Sequence, residues 1–105
     1  MAAPITVARN ASVDFPAVTI SGEVIYLSDQ KALLLLDKET GAPERLSINL
    51  EGYGLLPRPG NVFIKDWSEG SGVTESLVDS GLVEIVQTHT VGPFDTTAYE
   101  VKVRV

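Results

Sequence analysis

The sequence has no cysteine, and among its 105 residues there is one histidine (His89), one tryptophan (Trp67) and one methionine. Without cysteine there is no disulfide, no thiolate nucleophile and no thiolate-ligated metal. A single imidazole leaves no multi-histidine zinc site within the chain. Apolar runs are short. The longest, A-L-L-L-L at 32–36, falls far below the ~20 residues of a membrane helix. The opening M-A-A-P-I-T-V-A-R-N lacks the basic start and apolar stretch of a secretory signal. These absences set the expectation of a cytoplasmic protein with no membrane span, no metal and no cofactor.

Basic residues are also scarce. Eight Lys and Arg stand against fourteen Asp and Glu, a formal charge of −6, and none lies between Lys65 and Lys102. The acids of that stretch are Asp66, Glu69, Glu75, Asp79, Glu84, Asp95 and Glu100. Nucleic-acid affinity comes from cations that displace phosphate counterions, so a nucleic-acid partner is disfavoured. A basic protein partner or a solvated acidic face fits better.

What the chain does have is alternation, the two-residue period of strands. In V-T-I-S-G-E-V-I-Y-L, Val18, Ile20, Val24 and Tyr26 share one face, with Ile25 and Leu27 on the other. A-L-L-L-L-D reads as a strand apolar on both faces. In R-L-S-I-N-L, residues Leu46, Ile48 and Leu50 point in and Arg45, Ser47 and Asn49 out, which completes an antiparallel meander. E-G-Y-G-L-L-P-R-P-G is a loop anchored by Tyr53 and Leu55. N-V-F-I-K-D-W, L-V-E-I-V-Q-T-H-T-V and A-Y-E-V-K-V-R-V are further strands, and I-T-V-A is a short edge strand. In A-Y-E-V-K-V-R-V, Tyr99, Val101, Val103 and Val105 face one way and Glu100, Lys102 and Arg104 the other. One helix is expected near 72–80, with Val73, Leu77 and Val78 at helical spacing and Gly81 ending it. The fold class is therefore a β-rich α+β single domain over 1–105. Its architecture is an antiparallel barrel or strongly curved sheet of about six to seven strands with that one short helix.

The stretch G-N-V-F-I-K-D-W-S-E-G-S-G at 60–72 resembles a ligand loop only in its glycines. A phosphate loop needs a Lys after them, and here none follows while Asp66, Glu69 and Glu75 crowd the place. The stretch reads as a corner where Ser71 or Gly72 caps the helix. Trp67 has the face and the N–H for a ligand, and with Tyr53, Phe94 and His89 it defines a shallow candidate pocket. Asp95 or Glu84 are the carboxylates expected to orient His89. F-D-T-T-A is similar to the Asp-Thr turn of aspartic proteases, but a single copy lacks the second aspartate of that chemistry.

V-T-I-S-G-E-V-I-Y-L, A-L-L-L-L-D-K-E-T-G and R-L-S-I-N-L together resemble the first three strands of an OB-fold. That resemblance implies a small barrel and single-strand nucleic-acid binding through basic grooves and stacked aromatics. A loop with Pro57 and Pro59 stands where that family has its helix, and the acid excess opposes such a ligand.

Ile25, Leu27 and alternate members of Leu33, Leu34, Leu35 and Leu36 have no evident cover in a barrel of this size. Uncovered apolar surface of this kind marks interaction sites. The expected function is a non-catalytic binding or assembly module that forms a homodimer through this hairpin. The alternatives are a small-ligand protein or minor enzyme with a pocket near Trp67 and His89, and an OB-like single-strand binder.

Overall fold

The computed structural model describes residues 3–16, 18–65 and 72–104. The described residues form seven strands and one α-helix. They are β1 (Ile5–Asp14), β2 (Thr19–Leu27), β3 (Ala32–Asp37), β4 (Pro43–Arg45), β5 (Asn61–Lys65), α1 (Val73–Asp79), β6 (Val83–Val91) and β7 (Thr96–Val103). All the strands but β4 fall on the segments read as strands. The edge strand expected over I-T-V-A extends to ten residues. No helix among the described residues is long and apolar enough to cross a membrane.

The strands form two antiparallel sheets, ordered β1-β2-β3-β4 and β5-β7-β6, not one closed barrel. The closed-barrel expectation fails at R-L-S-I-N-L. Its burial alternates much as read, with Leu46 and Leu50 buried and Ile48 half-buried, but its pairing does not continue. After Arg45 the N–H groups of Leu46 and Ser47 both donate to the Leu33 carbonyl, at 2.8 and 3.3 Å, and the ladder ends. Ser47, expected to face out, is buried instead, and its Oγ accepts the Leu33 N–H at 2.9 Å. The chain then crosses to the second sheet, which it meets at the isolated bridge Ile48↔Phe63.

The inner faces of both sheets meet in one core that includes Val13, Val24, Tyr26, Leu33, Leu35, Val62, Ile64, Leu77, Val101 and Val103. Helix α1 packs on β1, β5 and β6 and contributes Val73 and Leu77 to that core. It ends as expected. Gly81 is left-handed (φ +75°), and the Leu82 N–H reaches back to the Leu77 carbonyl at 3.0 Å. Gly22 is required by crowding, because a Cβ there would overlap the Leu36 carbonyl of the neighbouring strand.

A smaller cluster of Leu50, Phe63, Val91 and Ala98 lies on the opposite face of β5-β7-β6, with Leu55 and Ile48 packed on it. The loop at 49–60 therefore covers this second face. Leu55 anchors the loop as read, whereas Tyr53 is 60% exposed.

Candidate functional site

Four residues were expected to line a pocket. Trp67 lies outside the described residues, as does Ser71. Phe94 is 86% exposed in the β6–β7 turn. Tyr53, in a short 3-10 turn at Glu51–Tyr53, leans toward the same turn: a Cβ built on Gly92 would sit 3.6 Å from its hydroxyl. His89 turns inward. Its ring meets Phe63 edge-on at 5.4 Å, and its Nε2 is buried without a hydrogen-bond partner.

Among the described residues the carboxylate that His89 meets is neither Asp95 nor Glu84 but Glu100, whose Oε1 lies 3.7 Å from Nε2. Alternation placed Glu100 on a solvated face. It is only 3% exposed, because the loop at 49–60 closes over that face of β7. Register explains the assembly: Glu100 pairs with Phe63 on β5 and Gln87 on β6, and Ala98 pairs with His89. Arg58 of the loop and Asn61, the first residue of β5, then satisfy the carboxylate. Asn61 Nδ2 donates to Oε2 at 2.7 Å, and Arg58 donates to the same oxygen from its backbone N–H (3.1 Å) and its Nε (3.2 Å). Arg58 Nη2 also bonds Gln87 Oε1 at 3.2 Å. Burial alone would raise the Glu100 pKa. The Asn61 amide and then the Arg58 guanidinium and N–H outweigh it and hold the value at about 2. A carboxylate this strongly paired is not a general base near neutral pH. The cluster is a clasp that fastens the loop to the sheet.

Two surface features have the shape of a binding site. The first is a groove of about 760 Å³ at one end of the space between the sheets. Its apolar lining is Phe15, Val18, Ile20, Leu46, Ile48 and Val73, with Arg45 and Lys65 among its polar residues. Tyr53, Phe94 and His89 are not part of it. The second is the outer face of the β2–β3 hairpin. Leu33 and Leu35 are fully buried in the core, whereas Ile25, Leu27, Leu34 and Leu36 lie half-buried on the other side. Ile25 sits directly opposite Leu34, and Leu36 opposite Glu23. Arg45 flanks Leu34 from β4.

Among the described residues no group of three or more His, Asp or Glu is placed to hold a metal ion. No protein-family model, curated protein or solved structure matches this chain. The site must be read from its own geometry.

Proposed function

We propose that this chain is a non-catalytic assembly module that pairs with a second copy of itself through the outer face of β2 and β3. The supporting observation is the division of the leucine run: Leu33 and Leu35 fill the core while Leu34 and Leu36, with Ile25 and Leu27, stay only half-buried on the outer face. Helix α1 packs on β1, β5 and β6, away from this hairpin. Contiguous apolar surface of this kind is stabilised by burial at roughly 25 cal/mol per Å². A second copy is the occupant that the charges favour. Glu23 lies on one flank of the patch and Arg45 on the other, so a two-fold contact sets acid against base reciprocally. A stable interface takes about 800 Å² from each partner, so the contact extends beyond the four side chains to Thr6, Glu23, Pro43 and Arg45.

Two neighbouring substitutions test this. Leu34→Glu places a charge on the proposed interface and is expected to lower the assembly mass by light scattering, with unchanged circular dichroism. Leu35→Glu places the charge in the core, where burial without a partner costs several kcal/mol, comparable to the whole stability of a small domain. That variant is expected to unfold. A wild-type monomer, or a Leu34→Glu variant with undiminished mass, removes the reading.

A second reading has one observation in its favour. The groove between the sheets is within the size range of small-molecule sites and mainly apolar. It supports a small apolar ligand, a role compatible with assembly.

A further inference from the structure

A sheet that does not close has edges, and the four edges here are treated differently. An open edge is a template for another strand, and proteins guard such edges with short strands, prolines, charges and irregular pairing. β4 is three residues long and begins with Pro43. β1 carries Arg9 and two breaks in register, between Thr6 and Ala8 and between Ala8 and Ala11. β5 is met on its outer side by the bridge from Ile48.

β6 has almost none of these protections. It is nine residues long and contains no Pro, Lys or Arg. Residues 87–91 pair in unbroken register with β7 on one side. On the other side no described strand pairs with it. Residues 84–88 are all exposed, and Ile85 and Val86 are each 42% exposed. Its one irregularity falls between Ile85 and Gln87.

Charge identifies the occupant. Two copies of a chain with net charge −6 repel, so self-contact is least opposed where charge is absent. From Ile85 through Phe94 there is no Asp, Glu, Lys or Arg, the longest uncharged stretch in the sequence. Glu84, at the start of the strand, is already paired with Arg104 at 3.5 Å. An antiparallel partner strand also brings the exposed Phe94 at the end of β6 toward Ile85 and Val86 at the start of the other copy's β6.

We infer that the free edge of β6 is a second self-association surface, on which two copies pair antiparallel to join their three-stranded sheets into one of six. This surface lies in the other sheet from the β2–β3 face and stands independently of it. With both surfaces in use, each copy contacts two others, and the assembly grows beyond a dimer.

Amide hydrogen exchange tests this directly, measured on dilute and concentrated protein for the wild type, Leu34→Glu, Val86→Lys and Thr88→Lys. The two lysine variants sit at exposed positions and put a charge on the edge, which an unpaired strand leaves in water and a pairing strand must desolvate. The expected result is slower exchange of the 85–90 amides in concentrated wild-type protein. It persists in Leu34→Glu and is lost in both lysine variants, whose dilute spectra match the wild type. Exchange in β6 that does not change with concentration overturns the inference, as does protection that survives both lysines. Protection that follows an added unrelated extended peptide, and not the protein's own concentration, assigns the edge to a strand-donating partner instead.

Discussion

Glu100 shows how one side chain can organise a face of a protein. Four polar groups converge on its carboxylate: the Asn61 amide, the Arg58 N–H and guanidinium, and, more distantly, His89. Three of these belong to the end of the loop or the first residue of β5, so this acid ties the 49–60 segment to the sheet. The folded pKa of about 2 against an ordinary 4.5 sets the pH dependence. A lowered pKa stabilises the fold above the ordinary value, and that contribution drains away as pH falls from 4.5 through about 2. Glu100→Gln is therefore expected to cost about 2–3 kcal/mol at neutral pH in denaturant unfolding. Its deficit against the wild type should shrink steadily below pH 4.5. A deficit that stays constant down to pH 2 contradicts the clasp. None of this was legible in E-V-K-V-R-V, where Glu100 alternates as a solvent-facing residue should. Period-2 patterning reports which residues share a face but not what lies over that face, and here the cover is a loop 40 residues earlier with no periodicity of its own.

At the scale of elements the sequence was more informative. Strand positions, the helix at 73–79 with its glycine stop, and the Leu55 anchor all follow from local chemistry. Pairing was harder. The alternation of R-L-S-I-N-L correctly marks Leu46 and Leu50 as buried, yet of that segment only Arg45 lies in a strand, as the last residue of β4. Ser47 explains the departure: its hydroxyl accepts the backbone donor of Leu33 as the chain leaves β3. Gly22 is needed for a tertiary reason that alternation does not report. Because a Cβ would overlap the Leu36 carbonyl, Gly22→Ala must push β2 and β3 apart across the register that sets Leu33 and Leu35 inward. We expect a loss of about 3 kcal/mol in thermal or denaturant unfolding. A near-neutral result contradicts that close approach. Of the candidate site, the leucine hairpin was legible as two apolar faces, but which leucines were core was not. Neither face is polar, so only the position of the second sheet decides between them.

For the whole molecule, the question is what happens to the surfaces that two open sheets leave behind. A closed barrel has no edges, and its outer face is ordinarily polar. This fold keeps four edges and an apolar outer face on its longer sheet, while its acids are mostly exposed, among them Glu75, Asp79, Glu84 and Asp95. Negative charge spread over the rest of the surface disfavours indiscriminate clustering and leaves the uncharged areas as the surfaces that the proposed assembly would use. Native mass spectrometry of the gently purified, untagged chain tests this account most directly. The account predicts dimers and higher even-numbered species built from unmodified chains, reduced in size by Leu34→Glu. A bound mass on each chain would identify an occupant of the groove without opposing assembly. A strict monomer at micromolar concentration would contradict the account.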